Sequence, residues 1–129
     1  MTRDKAIGIT VFLLRIFSGL LFLQSGGLKL FGWFGGMPEG VELNMLITIA
    51  GILEVVGGAA MILGLFTRPV AFVLSGEMAV AYFIGHFPQG FWPAQNHGET
   101  AVLFCFIFLF FAAYGAGEWS LDAKLRKPA

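Results

Sequence analysis

The chain has 129 residues, of which 57% are hydrophobic and 12% charged, with mean hydropathy +0.82 and a formal net charge of zero. Soluble domains carry about 25% charged residues, so the balance points to lipid as solvent. No basic cluster is long enough to make nucleic acid a partner, and a single cysteine, Cys105, excludes both an intrachain disulfide and a CxxC dithiol centre.

A membrane span needs roughly 20 apolar residues, and four stretches meet that need: 7–28, 44–66, 69–87 and 98–116. The expected fold is all-α, with four transmembrane helices in an antiparallel bundle forming one domain over 1–129. The first stretch is not a cleavable signal, because it is too long for an h-region, Arg15 interrupts it and no small-x-small site follows. With both termini on one side, that side holds Arg3, Lys5, Arg68, Lys124, Arg126 and Lys127, against Lys29 on the other. The excess of Lys and Arg puts both termini in the cytoplasm, and the expected location is a prokaryotic cytoplasmic (inner) membrane.

Along the first helix, Arg15, Ser18, Gly19, Phe22, Gly26 and Lys29 share a face. Small residues on a transmembrane face mark close helix packing, so this face points inward. The loop that follows, 31–41, is broken by glycines and Pro38. Its Phe31, Trp33 and Phe34 suit the interfacial aromatic belt, which favours an interfacial loop over a re-entrant lid.

Glu54 stands at the middle of the second stretch, on a face with Ala50, Gly51, Gly57, Gly58 and Met61. An ionisable group there is costly unless something pairs with it. Arg15 is the expected partner, since a guanidinium offers a carboxylate a bidentate fork. The pair reads either as part of an intramembrane site or as a structural ion pair that fixes register. In the turn 64–69, Thr67 is expected to cap the third helix, Pro69 to sit in its first turn, and Arg68 to anchor at the headgroups.

The third stretch carries Glu77 beside Ser75 and Gly76. Arg15, Glu54 and Glu77 make the candidate intramembrane polar site. Two carboxylates against one arginine leave an excess negative charge unless Lys29 or a ligand reaches down. An acid able to hold a proton there would serve quinone chemistry, a proton relay or proton-coupled transport. His86 lies nine residues beyond Glu77, about half a turn away on a regular helix, and so on another face.

Asn96-His-Gly-Glu99 has the form of a capping box. The alternative use of these residues is an outer-side ligand pocket built from Gln24, Lys29, His86, His97 and Glu99. Two histidines at separate helix ends could in principle ligate haem or a metal, but no third ligand of clear spacing and no haem motif supports that use, so no metal centre is expected. The last stretch is rich in phenylalanine, with Cys105 expected as a small core residue.

Taken in order, several motifs together resemble the DoxX-like family of small membrane proteins. They are Arg15 with the 19–29 stretch, Glu54 with Gly57-Gly58, the Gly64-Leu-Phe-Thr-Arg68 turn, Glu77, His86, Asn96-His-Gly-Glu99 and the closing Gly117-Glu-Trp-Ser-Leu-Asp122. The resemblance spans almost the whole chain. It implies a four-helix membrane bundle and, for function, association with quinone-linked redox systems, since the family's name comes from a small subunit of an archaeal terminal quinol oxidase. The expected role is an accessory subunit of such a system, with quinone as the candidate ligand and a membrane or redox protein as partner. The alternatives are a non-catalytic scaffold for a partner enzyme and a small proton-coupled transporter. Transport would call for a homo-oligomer, because four helices leave little room for a pathway.

Overall fold

Seven-residue repeats of close contacts pair the helices of this chain. The computed structural model describes residues 1–126, and among them every regular element is helical. Lys127, counted above with the cytoplasmic charges, lies outside the described residues. Three helical stretches are long and apolar enough to cross a membrane: Arg3–Phe31, Met45–Leu63 and Thr67–Gln89. A fourth apolar helix, Glu99–Tyr114, has 16 residues and is shorter than a full span.

The chain divides into two compact units, Met1–Thr67 with the segment from Ala116 onward, and Arg68–Gly115. In the first unit, α1 (Arg3–Phe31) starts at Thr2, whose hydroxyl accepts the Lys5 N–H, and stops at Gly32. A short 3-10 turn, Trp33–Gly35, follows, and α2 (Met45–Leu63) begins where Asn44 Oδ1 accepts the Ile47 N–H at 2.9 Å. With 19 residues α2 is about 28 Å long, close to the thickness of a bilayer core. It ends at Gly64, whose φ of 68° is open to glycine but strained for other residues.

The faces of α1 and α2 that the spacing turns inward are the buried ones: Arg15, Ser18, Gly19, Phe22 and Gly26 on α1, and Gly51, Glu54, Gly57, Gly58 and Met61 on α2. The reason is backbone approach. A Cβ on Gly19 would lie 2.7 Å from the Gly58 carbonyl oxygen, and one on Gly26 would lie 2.7 Å from that of Gly51. Both glycine pairs are seven residues apart, in opposite directions on the two helices, so α1 and α2 run antiparallel with one contact face over two turns of each. Leu13, Phe17, Leu20 and Leu21 on α1 and Ile49, Ile52 and Val56 on α2 are exposed. Helices that are apolar all round and still expose large side chains have lipid, not water, as their natural solvent.

The second unit repeats the device with polar contacts. Here α3 (Thr67–Ala81) pairs with α5 (Glu99–Tyr114). Arg68 Nε donates to the Ala112 carbonyl at 2.9 Å and the Ser75 hydroxyl to the Cys105 carbonyl at 2.7 Å, while Gly98 lies against the Tyr82 ring. These contacts again fall every seven residues in opposite directions. Arg68 thus satisfies a carbonyl in the last turn of α5, a more specific role than headgroup anchoring.

Helix geometry changes after Ala81, where a regular third helix was expected to run to 87. Residues Tyr82–His86 form a π turn and Phe87–Gln89 a 3-10 turn. Pro88 has no N–H for the carbonyl four residues back, so an α-helix cannot pass through it, and the backbone widens just ahead. A four-residue helix, α4 (Pro93–Asn96), leads into α5, and a short α6 (Leu121–Arg126) closes the first unit.

Gly58→Val places side-chain atoms where the Leu23 and Gly19 backbones stand, 2.6 and 2.7 Å from a Cβ. It should cost about 1–3 kcal/mol or more, read as a lower thermal midpoint of the detergent-solubilised protein. Gly76→Ala, with open space at that Cβ, should leave the midpoint unchanged or raise it.

Candidate intramembrane polar site

Arg15 is 1% exposed on the inward face of α1. Pairing with Glu54 does not occur. The glycine register puts Glu54 level with Leu23–Ser25, eight to ten residues beyond Arg15 and so about 12–15 Å along the helix. Arg15 turns instead to the Gly64 end of α2. Its Nε donates to the Met61 carbonyl at 2.9 Å, one terminal nitrogen to the Ala116 carbonyl, and the other to the Trp119 carbonyl at 2.9 Å. The C-terminal end of a helix carries partial negative charge, so Met61 is a favourable place for a cation. The guanidinium also lies 5.5 Å from the Phe12 ring, which meets Trp119 edge-on.

The closing segment returns these contacts. Asp122 accepts the Phe66 N–H at 2.7 Å and the Thr67 N–H at 2.8 Å on separate carboxylate oxygens, and its own N–H donates to the Gly64 carbonyl. Asp122, not Thr67, therefore caps the start of α3; the Thr67 hydroxyl is buried without a hydrogen bond. A carboxylate takes two donors at once and gains from the positive end of the helix, which one hydroxyl cannot match. Asp122 also acts on Arg15 through space.

Glu54 is paired with Lys29. The ammonium donates to Glu54 Oε1 at 2.7 Å and to the Ser25 hydroxyl at 2.8 Å. Ser25 and Lys29 are one helical turn apart, so the serine holds the lysine stem along α1 while its tip bends to α2. Exposure is unequal: 3% for the Glu54 side chain and 20% for Lys29. Within the first unit Arg15 and Glu54 thus have separate partners. Glu54 has Lys29, Arg15 has carbonyls, and Glu77 belongs to the second unit, its carboxylate oxygens shielded from solvent.

Of the residues expected at the outer side, Gln24 and Lys29 belong to the first unit and His86, His97 and Glu99 to the second. Gln24 is exposed on α1, and His97 and Glu99 are exposed in the second unit. The capping box does not form. His97 adopts a left-handed conformation, φ 60°, which brings Asn96 Oδ1 to the Gly98 N–H at 2.8 Å, and Gly98 takes the cap position of α5 with no side-chain cap bond. This is the two-residue reach of an Asx turn. Asn96 is fully buried; its amide also donates to the Tyr82 hydroxyl and to the Gly90 carbonyl. His86 Nδ1 lies 3.0 Å from the Asn96 carbonyl oxygen. Among the described residues no group of three His, Cys, Asp or Glu could hold a metal ion.

An all-helical chain with long apolar helices and buried charges matched on their inner faces is a membrane protein. The DoxX family profile matches residues 10–87, and the chain belongs to the DoxX family. It is 41% identical to an uncharacterized protein of Haemophilus influenzae over 88% of this chain and 89% of that one. It is 30% identical to an uncharacterized membrane protein of Mycobacterium tuberculosis over 93% of this chain and 83% of that one. No solved structure matches.

The sequence marks Asn96 only as the head of a capping box and Asp122 only as the end of the closing motif, not as the centres of these hydrogen-bond networks. A weak sign was present for each: an acid soon after glycine-flanked Ala116, and an asparagine between a proline-headed turn and a glycine. Asp122→Ala removes both cap acceptors and should cost about 1–2 kcal/mol. Asp122→Asn keeps one acceptor oxygen and should cost less, the two compared by thermal midpoint in the same detergent.

Proposed function

We propose that the chain is an integral membrane accessory subunit of a quinone-linked redox system, with four helices crossing the inner membrane and both termini in the cytoplasm. The observation that carries this is the Lys29–Glu54 pair. An ammonium has three N–H donors, and Ser25 and Glu54 take two. Lys29 is the partly exposed member, so its third donor can meet a carbonyl oxygen of a ring lying against the helix. Glu54 behind it balances the charge, which makes a polar contact tolerable in an apolar setting. A quinone head group asks for just such a donor in an apolar slot.

Electrons would come from a partner, because one cysteine cannot hold an iron–sulfur cluster. A scaffold role is the second reading. It draws on the glycine-packed faces and on the commitment of Arg15 and Asp122 to backbone groups.

Lipid extracted from the protein purified in mild detergent is the test. Quinone should be present in stoichiometric amount and be lost from Lys29→Met and from Glu54→Gln proteins that still elute as folded species. A quinone-free wild-type protein that co-purifies with another polypeptide would favour the scaffold. If both single variants fail to fold and the Lys29→Met/Glu54→Gln double variant folds, the pair is structural.

A further inference from the structure

The π turn at the end of α3 holds a histidine whose tautomer is set by chemistry. His86 Nδ1 is 3.0 Å from the backbone oxygen of Asn96. A carbonyl oxygen only accepts, so Nδ1 must carry the hydrogen and donate. In neutral imidazole the other nitrogen, Nε2, is then a bare acceptor. It makes no hydrogen bond among the described residues, and His86 is only half-buried.

The group that fixes His86 is itself fixed. Asn96 is fully buried, and its side chain is bonded on three sides: Nδ2 to the Tyr82 hydroxyl at 3.1 Å and the Gly90 carbonyl at 2.9 Å, Oδ1 to the Gly98 N–H at 2.8 Å. Tyr82 passes its own hydrogen to the Phe91 carbonyl at 3.2 Å. Such a satisfied network leaves the Asn96 backbone, and with it the imidazole, one position. The histidine ring also stacks on Tyr82 at 6.3 Å between centroids, next to Phe83 and Phe87. The groups bonded to His86 and Asn96 are all neutral.

We propose that His86 Nε2 is a preset hydrogen-bond acceptor for the hydroxyl of a neutral aromatic head group lying against the Tyr82–Phe87 rings. The aromatic bed selects a flat ring, the bare nitrogen selects a ring that bears O–H, and the absence of charge in the network selects a neutral one. A quinol meets all three; its oxidised form, which has no O–H, does not. This deepens the quinone-linked reading by naming the reduced form as the species held at His86, and it rests on that reading for the identity of the ring alone.

The test uses the full chain in mild detergent with 15N-labelled histidine, in a His97→Gln background so that His86 gives the sole imidazole signals. Long-range 1H–15N spectra should show a protonated Nδ1 and an unprotonated Nε2. Adding a short-chain benzoquinol should shift the Nε2 resonance, and its di-O-methyl ether should not. His86→Gln, which keeps an acceptor near the Nε2 position, should retain benzoquinol binding, followed by quenching of tryptophan fluorescence. His86→Asn, which keeps only the Nδ1 contact, should lose it. A protonated Nε2, or an equal response to the ether, overturns the proposal. If simple phenol shifts Nε2 as strongly as the benzoquinol, the acceptor site stands and the quinol assignment falls. Loss of quinone from the Lys29 and Glu54 variants is read separately and does not depend on the tautomer.

Discussion

A charge inside a lipid-facing helix has to be answered by something, and this chain answers Arg15 with backbone carbonyls. The choice shapes the first unit. Because the guanidinium meets the Met61, Ala116 and Trp119 oxygens, the closing segment must lie across the Gly64 end of the α1–α2 pair. Because that segment lies there, Asp122 can reach the Phe66 and Thr67 N–H groups. One cation and one anion thereby satisfy five backbone groups that lipid could not. Coulombic pairing of Arg15 with an acid would have left these helix ends open.

The same economy leaves Glu54 to Lys29. A lysine near the end of a helix ordinarily extends toward water, and here it bends inward by the length of its stem. Ser25 and Glu54 compensate for that turn. The pair is therefore the place in the first unit where a buried ion meets a partly exposed one, which is the kind of boundary a membrane-soluble ligand can approach.

Much of the architecture was legible in the sequence because it rests on periodicity. The inward faces of α1 and α2 follow from glycine at helical spacing, since only a missing Cβ lets Gly19 and Gly26 meet Gly58 and Gly51. The ion pairs were not legible, because opposite charges were matched by type and approximate depth, while the register that separates Arg15 from Glu54 is set by those same glycines. Carbonyl partners leave no mark in a sequence at all. The departure of Tyr82–His86 from an α-helix carried a sign, Pro88, whose effect reaches back one turn further than a simple helix stop. The left-handed His97 that replaced the expected capping box had none, for it is held by the buried Asn96 network.

The Arg15 contacts also order events in time. Ala116 and Trp119 lie 101 and 104 residues beyond Arg15 in the chain. During synthesis the first helix enters the membrane long before either carbonyl exists, and two of its guanidinium's three carbonyl partners arrive only about a hundred residues later. The N-terminal hairpin must wait in an incomplete state until the 116–122 segment has been made, and the arrival of that segment is the step that completes it.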